Sequence, residues 1–138
     1  MYLTYQPEGD DEPQRWKYDF RRLNTMEREA IERHTGLVYT EFTQQVIKGS
    51  SLCRRALLFT FLRRDHKGVR WEDVTFEWDE LKLEYSKAEL EQMRQNVIDS
   101  GQLHGGELAA ALAQLDKDIE GAFEDPDDEG KAQPPIAV

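Results

Sequence analysis

A few residue types in this chain of 138 residues could perform chemistry: three histidines, one cysteine and several closely spaced carboxylates. The histidines lie far apart, and none has the spacing of a metal-binding motif such as HExxH. Cys53 falls in an apolar segment, where a thiol is more often buried and inert than reactive. The carboxylates of Glu77, Asp79 and Glu80 are explained more simply by a solvated acidic face than by acid–base catalysis. We therefore expect no catalytic residue, no metal site, no cofactor and no enzymatic activity.

The composition limits the kinds of partner. Acidic residues outnumber basic ones by 28 to 18, which gives a formal net charge of −10. Such a chain is repelled by phosphate backbones, so we expect no nucleic-acid partner. The first eleven residues have neither the basic nor the apolar region of a signal peptide, so we expect none, and the longest apolar run, Ala56 to Phe59, is far too short to span a bilayer. These features predict a soluble protein of the cytoplasm that does not bind membranes.

Charge is distributed unevenly along the chain. Between Lys48 and Arg70 there are seven basic residues and one acidic residue, whereas acidic residues dominate from Trp71 onward. Either the basic middle and the acidic second half of the chain attract each other, or the acidic half faces a basic partner.

The N-terminal residues predict a β-hairpin. Tyr2–Tyr5 and Trp16–Phe20 alternate and are rich in aromatic residues, and a polar segment with Pro7, Gly9 and Pro13 separates them. Because side chains alternate along a strand, Trp16, Tyr18 and Phe20 should share one face. An isolated hairpin is marginally stable, so this face requires a surface to pack on.

Two helices are predicted to follow the hairpin. Asn24 and Glu27 have the spacing of a capping box, and Gly36 stands where a left-handed C-cap would end the first helix. Thr40 is expected to cap the second helix. The apolar side of that helix comprises Phe42, Val46 and Ile47.

The segment Leu52–Arg64 predicts a central helix. Its apolar residues cover nearly every direction around a helical wheel, and arginines lie in pairs at its two ends. A helix that is apolar all round is buried on most sides. We therefore expect the hairpin and the other helices to pack against it.

The second half of the chain contains further aromatic and helical segments. Val74, Phe76 and Trp78 alternate with polar residues and suggest a short strand. Ser86 and Glu89 form another capping box, which begins a helix that ends near Ser100. Residues 105–123 have one more amphipathic helical pattern, and nothing in the sequence requires that helix to pack on the rest of the chain.

Together these elements predict an α+β, mainly α, fold: an N-terminal β-hairpin packed on a small helical bundle around a buried central helix. The expected organisation is a compact domain over residues 1–103, a separable amphipathic helix over residues 104–123, and a flexible, disordered acidic tail over residues 124–138.

A DNA-binding helix-turn-helix is an alternative interpretation of the middle of the chain. The two predicted helices on either side of Gly49 have suitable lengths. A recognition helix must present a polar face to the groove, however, and Leu58, Phe61 and Leu62 occupy the side required. The acidic net charge also disfavours this alternative.

The order of these segments resembles the tail assembly chaperones of siphophages that infect actinobacteria. The resemblance covers residues 3–103 and consists of packing and capping patterns rather than a catalytic signature. After the hairpin, it is carried by these segments: Glu29–Leu37, Tyr39–Phe42, Ile47–Ser50, Arg54–Leu58, Leu62–Arg64 and Trp71–Val74.

The resemblance implies a non-catalytic helper in tail construction. Members of the family coat the long, largely helical tape measure protein until tail tube subunits polymerise around it. In many phages a programmed ribosomal frameshift produces a second, longer product, whose extension is thought to recruit the tail tube protein. The implied location is the cytoplasm of the infected host, and the protein would be absent from the mature virion.

Binding a helical client calls for exposed apolar strips, and two segments are candidates. The candidate partner-binding residues are Trp71, Phe76, Trp78, Leu108, Leu112, Leu115, Ile119 and Phe123. For each of them, packing within the protein's own core is the competing interpretation. The alternatives to a chaperone are a virion structural or tail-completion protein and the DNA-binding regulator, and a homo-oligomer is left open.

Overall fold

The computed structural model describes residues 1–126, which contain three strands and five α-helices. The strands are β1 (Tyr2–Tyr5), β2 (Gln14–Lys17) and β3 (Leu81–Glu84). The helices are α1 (Thr25–Thr35), α2 (Tyr39–Lys48), α3 (Ser51–Asp65), α4 (Lys87–Ser100) and α5 (Gly105–Gly121). The predicted α+β, mainly helical fold is confirmed.

The chain divides into two compact units. Residues 2–83 form one, and within the described range Met1 and residues 84–126 form the other. The sequence analysis placed α4 in the N-terminal domain and a boundary before residue 104, whereas in the structure α4 groups with α5.

The sheet of the first unit has the strand order β2-β1-β3. β1 and β2 are antiparallel and place Leu3 opposite Trp16. Paired residues share a face of the sheet, and on this face the Trp16 ring stacks on Phe61 of α3 with their centroids 5.8 Å apart. The predicted hairpin is therefore present, and one of its faces packs on α3.

The expectation that Trp16, Tyr18 and Phe20 share one face is wrong. β2 ends at Lys17, so strand alternation does not continue to Phe20. Asp19 accepts a hydrogen bond from the Arg21 backbone N–H and begins a 3-10 turn over Phe20–Arg22. Tyr18 is buried, whereas Phe20 is 51% exposed.

α1 begins and ends as its sequence predicts. The Asn24 side chain accepts from the Glu27 N–H at 2.9 Å, and the Glu27 carboxylate accepts from the Asn24 N–H at 3.1 Å. At the other end Gly36 is left-handed, with φ 73°. The Glu27 carboxylate also pairs with Arg64 of α3 at 2.7 Å, which ties α1 to α3.

α2 starts earlier than predicted. Its N-cap is Val38 rather than Thr40, and the N–H of Tyr39 donates to the Glu32 carboxylate of α1 at 2.8 Å. A carboxylate from outside the helix thus satisfies a first-turn donor, which no local capping pattern reveals. Val46 of the predicted apolar side is buried, but Ile47 is 55% exposed and does not belong to that side.

α3 is the central helix. Ser50 caps it by accepting from the Cys53 N–H, and Gly49 before it is left-handed, with φ 97°. Its buried residues are Cys53, Ala56, Leu57, Leu58, Phe59, Thr60 and Phe61, so the prediction of a helix buried on most sides is confirmed. Leu52, which the sequence analysis counted with the apolar residues of this helix, is 43% exposed.

Between α3 and β3 the chain forms two 3-10 turns, Trp71–Asp73 and Trp78–Glu80. The short strand predicted over Val74–Trp78 is absent, and the strand lies at Leu81–Glu84 instead. Asp73 accepts from the Arg70 N–H at 3.1 Å, and Glu80 accepts from the Glu77 N–H at 2.7 Å. These local bonds close the turns and compete with strand pairing.

The second unit is a helical hairpin. The predicted capping box of Ser86 and Glu89 begins α4, and Gly101 ends it with φ 66°. α5 packs on α4, and Arg94 pairs with Asp116 at 2.7 Å. No residue of α5 is fully buried.

The segment after α5 returns to the start of α4. The Lys87 N–H donates to the Phe123 carbonyl at 2.8 Å, and the Ala88 N–H donates to the Asp125 carboxylate at 3.2 Å. A carboxylate at a helix N-terminus is favourable because it faces the positive end of the helix dipole. The acidic tail was predicted to start at residue 124, but these contacts hold its first residues. Residues 127–138 lie outside the described part of the chain.

Substitutions within α3 test its central role. Leu57 is 0% exposed, so Leu57→Ala should lower the free energy of unfolding by about 2–5 kcal/mol through lost burial and a residual cavity. Leu52→Ala makes the same change at the 43% exposed position of this helix and should cost less than about 1 kcal/mol. Urea unfolding followed by circular dichroism measures both values, and equal losses would contradict the central burial of α3.

Candidate docking surface

The Trp78 side chain stands out on the first unit because it is large, apolar and 70% exposed. It belongs to the 3-10 turn Trp78–Glu80, which Glu80 holds in place. One carboxylate oxygen of Glu80 accepts from the Glu77 N–H, and the other accepts from the Glu8 N–H, both at 2.7 Å. These two bonds lower the pKa of Glu80 below its usual value.

The backbone of Glu80 adds a third bond. Its carbonyl accepts from the Gln6 N–H at 2.8 Å, so the turn is fastened to the end of β1 as well as to the loop after it. The backbone of the turn that carries Trp78 is therefore bonded to the hairpin, while most of the indole surface remains in water.

A groove of about 460 Å³ runs beside this indole. We call it the Trp78 groove, and its lining residues are Ser51, Leu52, Arg55, Val74, Thr75, Phe76 and Trp78. Val74 is buried, while Leu52 and Trp78 keep large exposed fractions. The structure thus brings together two of the predicted partner-binding residues, Phe76 and Trp78.

The edge of the Trp78 ring lies over the turn between α2 and α3. A Cβ added at Gly49 would lie 3.7 Å from the ring atom Cη2 of Trp78, in ordinary van der Waals contact. The left-handed backbone of Gly49, with φ 97°, is the conformation that only glycine adopts readily. The Trp78 ring therefore lies close to this turn.

Trp71 does not line the Trp78 groove, although the sequence analysis grouped it with Phe76 and Trp78. Its ring stacks on His34 with a centroid distance of 4.1 Å and lies nearly perpendicular to the Phe59 ring, with a centroid distance of 5.5 Å. The Arg55 guanidinium lies 4.2 Å from the centroid of the Trp71 ring and donates to the Trp71 carbonyl at 2.7 Å. Trp71 thus packs against α1 and α3, in the competing role that the sequence analysis considered for it.

The other predicted partner-binding residues belong to the second unit. Leu108, Leu112, Leu115 and Ile119 are half-buried along α5, and Phe123 follows the helix and is also half-buried. A hairpin of two helices covers only one side of each apolar stripe, so part of these side chains remains in contact with water. They form a surface separate from the Trp78 groove.

Leu52 was missed as a surface residue because its hydrophobicity fits the buried pattern of α3. It is the second residue of α3, and helical side chains point back toward the N-terminus. A side chain in the first turn therefore extends over the preceding loop and away from the buried middle of the helix. Its position directly after the Ser50 cap was the available signal.

Among residues 1–126, no three His, Cys, Asp or Glu side chains are grouped so that they could hold a metal ion. Cys53 is buried with 1% of its surface exposed. None of the helices described is long and apolar enough to cross a membrane.

Comparison with known proteins found no match: no family model, no curated protein and no solved structure is similar to this chain.

Titration of His34 tests the stack around Trp71. Partial burial, and then the charges of Arg33 and Arg55, lower the pKa of His34 below 6.5, while Glu72 acts in the opposite direction. The folded protein therefore binds this proton less readily than the unfolded chain does. The resulting stability is present above about pH 6.5 and is lost as the pH falls through the pKa of the folded state.

NMR titration of the His34 ring should accordingly give a pKa below 6.5. The free energy of unfolding of the wild type should fall more than that of His34→Gln between about pH 7 and about pH 5. A pKa at or above 6.5, or equal losses for the two proteins, would contradict the packing described.

Proposed function

We propose that this protein is a tail assembly chaperone of a siphophage, which binds the tape measure protein and assists polymerisation of the tail tube without catalysis. The proposal combines the resemblance of residues 3–103 to that family with the surface of the first unit. It also places the protein in the cytoplasm of the infected host and outside the mature virion. The tail tube protein is a further candidate partner.

The observation that carries the proposal is the exposed indole of Trp78 beside Leu52 and Phe76. Exposed apolar side chains that lie together on a fixed support are typical of protein-binding surfaces. Tryptophan is among the residues that contribute most to binding when a partner covers them. The Trp78 groove would accept apolar side chains from one face of a helical client.

The burial of α3 favours this function over the DNA-binding alternative. The recognition helix of a helix-turn-helix must present the middle of one face to the DNA major groove. In α3 every residue from Ala56 to Phe61 is buried, so that middle is occupied by the protein's own core. The acidic net charge of −10 adds a repulsion that a DNA-binding protein would have to overcome.

Co-expression with the tape measure protein of the same phage tests the proposal. The wild type should co-purify with that protein and increase its soluble yield. Absence of both effects would refute the chaperone function. Mass spectrometry of purified phage particles distinguishes a chaperone from a virion structural or tail-completion protein. The structural protein would be found in the particles, and the chaperone would be missing from them.

Trp78→Ala locates the binding site within this test. The substitution removes an exposed side chain, so the free energy of unfolding should change by less than about 1 kcal/mol. Affinity for the tape measure protein should fall by about tenfold or more if the indole is a main contact. Phe20→Ala is the matched control, because Phe20 is 51% exposed and does not line the groove. Equal affinities of the two variants would exclude the Trp78 groove as the client site.

A further inference from the structure

A second groove lies between α1 and α3 of the same unit. Its cavity measures about 380 Å³. Ile31, Ala56 and Phe59 are buried in its floor, and Ala30 lies beside them. The exposed basic residues of its lining are Arg33, Arg63, Arg64 and Lys67. We call this site the basic groove.

The basic residues of this groove differ in whether they have an acidic partner. Arg64 is neutralised by Glu27, which is the one acidic residue of the lining. Arg33, Arg63 and Lys67 have no carboxylate within ion-pairing distance in the described range 1–126. The Arg63 guanidinium instead lies 5.5 Å from the centroid of the Phe59 ring, at the edge of the apolar floor.

This excess of positive charge is unusual for the chain that carries it. The whole protein has a net charge of −10, yet three cations with no ion-pair partner among residues 1–126 line one apolar cavity. A complementary ligand must bring carboxylates for the rim and apolar side chains for the floor. A helix with leucine-type residues on one face and acidic residues beside them combines both features, and helices dock into apolar grooves in this way.

We propose that the basic groove binds an acidic amphipathic helix of a partner protein. Nucleic acid would offer negative charge without side chains for the floor, and it would be repelled by the rest of this acidic protein. The site is distinct from the Trp78 groove and does not depend on the proposed chaperone function, which concerns the other groove.

The test uses the full-length protein and fluorescein-labelled synthetic peptides of about twenty residues, long enough for several helical turns. One peptide carries leucines at helical spacing flanked by glutamates, and two others carry glutamine or lysine in place of every glutamate. Fluorescence anisotropy at low salt should show the glutamate peptide binding about tenfold or more tightly than the glutamine peptide. This difference should shrink as salt screens the charges.

Three variants assign the binding to the groove. Arg63→Glu should lower the affinity for the glutamate peptide about tenfold or more, because it removes a cation and adds a repulsive charge. Ala30→Leu keeps all charges but fills part of the cavity, and it should also abolish tight binding. Lys17→Glu makes the same charge change at the exposed end of β2 and should have little effect. Circular dichroism and urea unfolding check that each variant remains folded.

Four results would overturn the proposal. The first is equal binding of the glutamate and lysine peptides, and the second is unchanged affinity of the folded Arg63→Glu variant for the glutamate peptide. The third is tighter binding of a labelled DNA of about twenty nucleotides than of the glutamate peptide. The fourth is self-association in light scattering that Arg63→Glu abolishes, which would assign the groove to a second copy of this chain. Trp78→Ala should leave the glutamate peptide bound, so failure here and failure of the chaperone function are distinguishable.

Discussion

Burial of α3 is the constraint on which the first unit depends. Seven of its residues are buried, and they face more than one neighbouring element. Phe61 stacks with Trp16 from the sheet, the ring of Phe59 lies nearly perpendicular to that of Trp71, and Arg64 pairs with Glu27 of α1. Since nearly every side of the helix is occupied, its neighbours have defined positions, and the surfaces they leave open are defined as well.

The parts of this fold that could be predicted from sequence are those controlled by neighbouring residues. The capping boxes at Asn24 and Ser86 and the left-handed Gly36 need only local bonds, and all three were predicted correctly. The start of α2 depends on Glu32, seven residues earlier in the chain than its partner Tyr39, and was missed. The strand predicted over Val74–Trp78 is absent because local carboxylate bonds close the turns there, and an alternation pattern does not reveal such bonds.

The candidate site was predictable in part for the same reason. Phe76 and Trp78 could be selected from sequence because they are apolar residues in a charged segment, but their exposure depends on what the rest of the fold covers. Trp71 has similar neighbours in sequence, yet Arg55 and His34 stack on it. Leu52 differs from its prediction in the opposite direction. Helical periodicity assigns it to the core, but its position in the first turn exposes it. Only the tertiary structure shows which of these apolar side chains are exposed and which are packed.

Both grooves are lined by residues of α3, and Trp71 contacts residues of both. Arg55 lines the Trp78 groove, His34 and Phe59 line the basic groove, and Trp71 contacts all three of these residues. The half-buried indole of Trp71 therefore connects a residue of the Trp78 groove with two residues of the basic groove. Its contacts are ring stacking and a cation over a ring, which depend on geometry more than nonspecific apolar burial does. The residue that the sequence offered as a binding contact thus packs between residues of the two grooves within one unit.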